Sequence, residues 1–271
     1  MTESIVPDEH EHLTTGWEPE LDAGDTLIRR AVLAHASWAV AVPGSLGRPA
    51  RRTERWSGGR VGDRGALTNP VVVTQPLDAA SFAEVLDEVG QLFPEGIPYF
   101  LICPFLTPDL TGHGLVKIGH PPLMVRFPGG EAPPLREDVQ LAEVTDPAAL
   151  AVAERVLVEG YPMPDLEPLV EGSILASQIL DGPTRVWTAS VDGEPAAVAA
   201  AHVAGDATLV EYVASLPAAR GRGAAAAATW AATLCEPTLP AVLISSDDGR
   251  PLYERMGFVA VERWTVWART E

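Results

Sequence analysis

Cysteine is nearly absent. The 271 residues hold two, Cys103 and Cys235, far apart and in no metal-ligand spacing. That excludes a disulfide framework and points to a reducing compartment. Basic residues are few: 19 Lys and Arg against 37 Asp and Glu give a formal net charge of −18. Nothing in that balance offsets phosphate repulsion, so nucleic acid is not an expected partner. The carboxylates serve solubility first and add a mild preference for cationic substrates. No apolar run is long enough to span a bilayer, and the alanine tract at 224–228 is too short and too weakly hydrophobic. The first 25 residues, MTESIVPDEHEHLTTGWEPELDAGD, carry no Lys or Arg and no apolar stretch. They read as an acidic arm, not a secretory leader, and the expected location is the cytoplasm. His10 and His12 sit there among carboxylates, and a solvated arm explains them better than a metal site does. No metal is expected.

What is present is apolar and punctuated. Hydrophobic residues make up 46% of the chain, enough for a sizeable core. The pattern predicts a helix over 23–36, then a basic, Gly-rich irregular stretch from 43 to 70. A short strand follows at 71–74, a helix at 78–93 with Phe82, Val85, Leu86 and Val89 in its apolar stripe, and strands at 99–103 and 122–127. The segment PGGEAPPLRED (128–138) marks a boundary by its density of Pro, Gly and charge. It divides a first lobe (26–130) from a second domain (138–271). The second part predicts a strand at 139–144 and a helix at 146–159 with Asp146 as its cap and Pro147 in its first turn. A partly helical stretch over 166–180 follows. Three strands come next, at 185–191, 195–203 and 208–215, the first two joined by the hairpin signal Asp192-Gly193. An alanine-rich helix at 222–234, a strand at 241–245, a short helix at 250–256 capped by Gly257, and two closing strands complete the chain.

The stretch that carries chemistry is VASLPAARGRGAA, residues 213–225. A strand ends near Ser215 and Pro217 forbids further pairing. Arg220, Gly221, Arg222 and Gly223 then turn the chain into the helix. The first amides of a helix have no partner within it, and they lie at the positive end of its dipole. Glycines let an anion approach that backbone, and Ala224 and Ala225 keep the first turn bare. This is a cradle suited to a diphosphate. A P-loop is excluded, since there is no Gly-Lys-Ser/Thr and no lysine in this half.

The loop fits Arg-x-x-Gly-x-Ala as Arg220, Gly223 and Ala225. Downstream stands ISSDDGRPLYERMGF (244–258), which contains Leu252-Tyr253-Glu254-Arg255-Met256-Gly257-Phe258. This ordered pair of motifs strongly resembles the GNAT superfamily of N-acetyltransferases, over roughly residues 139–269. The resemblance implies an α/β fold with a mixed, mostly antiparallel central sheet flanked by helices. It also implies acetyl-CoA as cosubstrate and a small-molecule primary amine as acceptor, attacked directly in a ternary complex. The strand before the loop would splay from its neighbour and pair with the pantetheine arm through Val213, Ala214 and Ser215. Pyrophosphate would sit on the amides of residues 221–225, with Arg220 and Arg222 adding charge-assisted bonds. The amide near Val213 would donate to the oxyanion, and Tyr253 would serve the leaving sulfur. Ser246 matches a position near the CoA arm, and a capping role for the helix after it fits equally well.

For the base, Glu211 alternates on the same strand face as Val213 and Ser215. His202 is an alternative, with a structural role as its plainer reading. Glu159 and Glu171 are candidates to bind a cationic amine. The first lobe has the order of a degenerate GNAT-like unit in tandem, with HGLVKIG (113–119) as a worn counterpart of YERMGF. GRVGDRGAL (59–67) runs into Thr-Asn-Pro, not a helix, so it is not a phosphate loop. Two readings follow: an N-acetyltransferase, monomeric or homodimeric, or a CoA-binding sensor without turnover.

Overall fold

The computed structural model describes residues 26–270, so the acidic arm, with His10 and His12, lies outside the described residues. The first half forms α1 (Leu27–Ser45), β1 (Ala50–Arg52), β2 (Trp56–Gly59), β3 (Pro70–Val73), α2 (Ala79–Leu92), β4 (Tyr99–Cys103), β5 (Val116–Gly119) and β6 (Pro122–Arg126). The second half forms β7 (Val139–Glu143), α3 (Pro147–Gly160), β8 (Thr184–Val191), β9 (Glu194–Ala204), β10 (Ala207–Ser215), α4 (Ala224–Thr233), β11 (Ala241–Ile244), α5 (Arg250–Arg255), β12 (Val259–Arg263) and β13 (Thr265–Arg269).

Capping fixes the helix starts. Thr26 Oγ1 accepts from Arg29 N, Asp78 Oδ1 from Ser81 N and Asp146 Oδ1 from Ala149 N. α1 runs past the expected end at residue 36, because Trp38, Ala39 and Val42 are buried and tertiary packing carries the helix onward. β1 and β2 lie in a stretch that reads as irregular. Gly59 hides the strand signal, yet the fold needs it: a Cβ there would stand 2.2 Å from Pro43 Cγ of α1. Residues 166–180 are not helical beyond short 3₁₀ turns. The backbone there is held instead by the buried carboxylate of Glu154, which accepts from the amides of Gly172, Ile174 and Leu175 at 2.7, 2.7 and 3.1 Å.

Two mixed sheets result. The first has the order β1-β2-β3-β4-β13-β5 and the second β12-β6-β11-β10-β9-β8-β7. Pairing is antiparallel except for β3 with β4 and β10 with β11, each pair bridged by a helix. The two sheets fit a two-lobe layout, but they do not divide at the 128–138 loop. β6 from the first half inserts between β11 and β12, while β13 from the second half inserts between β4 and β5. Each half thus completes the other's sheet. α1 reaches strands of both sheets. Its buried face joins a core with Leu157, Leu209 and Trp264, while α4 covers the opposite face over Val210, Leu243 and Phe258. α2 closes the first sheet over Leu101 and Trp267.

Candidate active site

β10 and β11 pair only at their first residues, Thr208 with Ala241 and Leu209 with Val242. Beyond that they part. β10 stays with β9 but carries a bulge, so that Tyr212 and Val213 have no pair between Glu211–Ala200 and Ala214–Val198. Tyr212 takes a left-handed φ of 52°, uncommon for a bulky residue and held here by packing: its ring stands edge-on to Trp38 at 4.9 Å. The parted strands open onto a cavity of about 460 Å³, lined from both halves of the chain.

Glu211 faces this cavity with 26% of its side chain exposed. Burial pushes its carboxyl up to about 7, against a weaker lowering by the Tyr212 amide. His35 of α1 lies opposite, its Nε2 3.8 Å from Glu211 Oε1. Three phenols feel the same carboxylate. Burial first, and then the charge of Glu211, pushes Tyr161, Tyr212 and Tyr253 up, so each stays protonated at neutral pH and is a donor. Tyr253 on α5 is nearly buried, edge-on to Phe258. Its ring lies beside Gly249 in the turn after β11; Ser245, Ser246 and Asp247 of that turn line the cavity, and Tyr253 stands behind them without lining it. Ser246 Oγ accepts from Gly249 N at 3.1 Å within the turn ahead of α5, which itself begins without a side-chain cap, and Ser246 also lines the cavity.

Past the wedge, Pro217–Ala219 makes one 3₁₀ turn, and Gly221 and Gly223 take φ of 76° and 90°. α4 then begins with no side-chain cap. Its first internal bond runs from Ala227 N to Gly223 O, which leaves the amides before it bare, as any helix start does. Val213, Ala214 and Ser215 lead into this turn along the β10 edge that faces the gap, and Ala224 and Ala225 form its floor. Arg222, expected to reach phosphate, is engaged elsewhere: its guanidinium is bound to Asp138 and Asp192 at 2.9 and 2.7 Å, so it fixes the loop to the entry of β7 and to the β8–β9 hairpin. Arg220 donates to the carbonyl of Gly160 at 3.3 Å, which ties the loop to the end of α3.

The sequence reading missed Arg136. Its aliphatic stem lies 3.1 Å from where a Gly223 Cβ would be, and its head is exposed beside Asp138. It also missed His35, whose only sequence signal is a polar residue within the apolar face of α1, and Tyr212, whose position the bulge alone singles out. His202 is not a base. Its two ring nitrogens are tied to Thr184 Oγ1 and Ser37 Oγ at 2.8 and 2.9 Å, burial holds it down near 4, and it does not line the cavity. Glu159 and Glu171 are exposed and do not line it either. In GRVGDRGAL the amides of Val61 and Gly62 are taken by Asn69 Oδ1. Among the described residues no cluster of His, Cys, Asp and Glu could hold a metal, and no helix is long and apolar enough to cross a membrane.

No protein-family model and no curated protein matches this chain. Solved structures do. A GCN5-related N-acetyltransferase from Kribbella flavida is 22% identical, with 88% of this chain and 95% of that one covered at a TM-score of 0.61. A protein described as a GNAT-family acetyltransferase from Novosphingobium aromaticivorans is 19% identical over 85% and 96% of the chains, at 0.51. A conserved Staphylococcus epidermidis protein of unknown function is 10% identical over 83% and 94%, at 0.55.

Proposed function

We infer, on the premise that the chain has the GNAT fold, that it is an acetyl-CoA-dependent N-acetyltransferase of small primary amines, acting by direct attack in a ternary complex. One observation carries this reading: the parting of β10 from β11 sits directly ahead of an uncapped helix start, with a high-pKa carboxyl between the two. The residues present fit the cosubstrate. The free edge of Val213, Ala214 and Ser215 suits the amides of a pantetheine arm. The bare amides around Gly221, Gly223, Ala224 and Ala225 suit two phosphates, with the head of Arg136 nearby.

When bound, acetyl-CoA supplies an activated acetyl thioester. The chain's residues do the rest. Glu211, titrating near working pH, takes a proton from the amine. The Val213 amide, unpaired in the bulge, stabilises the developing oxyanion. Tyr253, kept protonated, gives a proton to the leaving sulfur. The cavity's walls keep water from the carbonyl. The same reading makes a small amine and a nucleotide thioester its partners, in the cytoplasm, without nucleic acid or membrane, and as monomer or homodimer.

The test is calorimetry with coenzyme A followed by thiol release across an amine panel. Tyr253→Phe should lower kcat by about 100-fold and leave CoA affinity within about twofold. No CoA binding by the intact protein sinks the reading. Binding without turnover on any amine identifies the chain as a CoA sensor instead.

A further inference from the structure

The cavity holds a second polar atom that the reaction above does not use. His35 is 2% exposed, and its ring lines the cavity opposite Glu211. Its Nδ1 lies 2.7 Å from the carbonyl oxygen of Ala31. A carbonyl only accepts, so this geometry assigns the ring proton to Nδ1 and leaves a bare lone pair on Nε2. Burial holds the ring's pKa near 4, so it remains neutral in the working range. Nε2 is fully buried and has no hydrogen-bond partner among the described residues. Its distance of 3.8 Å from Glu211 Oε1 is too long for a bond between them. A single nitrogen placed between the two reaches both. A buried acceptor with no donor costs free energy that a ligand's N–H recovers.

We propose that the acceptor is a primary amine on a compact apolar body, held by one N–H to Glu211 and a second to Nε2 of His35. The proposal rests on the acetyltransferase reading. In the reaction the amine lone pair forms the C–N bond and the C–S bond breaks. One N–H proton passes to Glu211, and Tyr253 gives one to sulfur. The proton on Glu211 then restores the phenol by way of solvent, so the net transfer is from nitrogen to sulfur. The other N–H stays on His35 as the amide hydrogen of the product, and it aims the lone pair throughout. A neutral secondary amine has one N–H and must leave either His35 or Glu211 unmatched.

The body is apolar because the wall is. Val72, Phe100 and Ile102 come from the first sheet, Val266 from the exchanged strand β13, and Trp38 from α1. Apart from Glu211, Asp247 is the sole carboxylate lining the cavity among the described residues. It is exposed in the turn after β11, with the exposed Arg263 also at the lining, so a polycation finds no buried partner for a second ammonium. The first half of the chain therefore supplies the orienting nitrogen and, through Trp38, Val72, Phe100 and Ile102, much of the acceptor wall.

The experiment uses the full chain with 2-phenylethylamine, N-methyl-2-phenylethylamine and spermidine, and measures CoA affinity separately by calorimetry. The wild type should favour the primary aryl amine in kcat/KM by about tenfold or more over both others. His35→Phe keeps the volume and removes the acceptor. It should raise the amine KM about tenfold, leave the KM for acetyl-CoA unchanged, and bring the primary-to-secondary ratio close to one. His35→Gln, whose amide oxygen accepts, should recover part of that ratio. Intact CoA binding and turnover with spermidine or the N-methyl amine preferred, or with an amine KM indifferent to His35→Phe, overturns the proposal alone. Should His35→Phe not fold, the wild-type ratios and His35→Gln decide it. Absence of CoA binding removes the acetyltransferase reading and the proposal with it.

Discussion

Glu211→Gln has two consequences of opposite sign, and the same carboxyl causes both. With its pKa near 7, Glu211 is ionised to about a tenth at pH 6 and about nine tenths at pH 8, so kcat/KM expressed on the free-base amine should rise roughly tenfold between them. On the acetyltransferase reading the variant lacks the base and, on the same free-amine scale, should fall by about 100-fold with a flat profile. Stability moves the other way. The folded carboxyl titrates near 7 against an ordinary 4.5, so between those values the native state keeps a proton that the unfolded chain has released. The contribution of Glu211 to stability is thus full below pH 4.5 and is lost as pH rises through 7. A gap of about 2.5 pH units corresponds to about 3 kcal/mol. Gln carries no charge to bury and escapes this loss. His35 and His202, both held down near 4 by burial, act in the reverse sense and lose stability as pH falls below 6.5. They are common to both proteins, so the difference between variant and parent isolates Glu211. Urea unfolding at pH 5 and pH 8 should show the variant gaining on the parent by about 2–3 kcal/mol at the higher pH, part of the loss having already occurred by pH 5. A gap that does not widen, or a parent whose kcat/KM is the same at pH 6 and pH 8, refutes the argument.

Two further outcomes follow from the cradle and from the exchanged strands. Gly223→Asp puts a negative charge at the bare start of α4, against the phosphate its amides would hold, on a backbone whose φ of 90° strains any side chain; CoA affinity by calorimetry should drop by about 100-fold, with far-ultraviolet circular dichroism unchanged. A fragment of residues 138–271 lacks β6, whose fully buried Leu123, Met124 and Val125 join β11 to β12; at about 2 kcal/mol per buried side chain the loss approaches the whole stability of a domain, so the fragment should show no cooperative urea transition, and one that unfolds cooperatively contradicts this account.

Local chemistry made much of this legible. The caps Asp78 and Asp146, the Asp192-Gly193 hairpin and the alanine helix behind two glycines each act within a few residues, and the observed elements begin within one or two residues of the places they mark. Strand alternation drew attention to Glu211 but put it on the face of Val213 and Ser215; the bulge shifts the register, so Glu211 shares its face with Leu209 and Ala214, while Val213 packs on the α4 side and Ser215 pairs with Ala197. The exchange of β6 and β13 was not legible. A strand's partner is chosen by contacts across the whole chain, and Pro122–Arg126 would read the same in either sheet. His35 was hidden for a related reason. Its importance depends on α1, from one half of the chain, crossing onto β10 from the other, and no spacing within α1 encodes that. Arg222 shows the converse error: an arginine beside a glycine-rich helix start looks available to phosphate until two distant carboxylates, Asp138 and Asp192, claim it.

The two halves also show why only one of them carries the candidate site. Each has a parallel strand pair bridged by a helix, β3-α2-β4 and β10-α4-β11. In the first, three residue pairs, Pro70–Phe100, Val71–Leu101 and Val72–Ile102, run through most of β3, and α2 opens with Asp78, whose carboxylate accepts from its own helix at Ser81. That amide holds Asp78 below the usual carboxylate range, so the negative charge an external anion would bring is already built in. In the second, pairing stops after two residues, a bulge follows, and the helix opens on Gly223 with nothing capping it. The same architecture is therefore closed in one place and open in the other. The closed copy presents Val72 and Ile102, which a paired and capped unit is free to do, and those residues line the same cavity as Glu211 of the open copy.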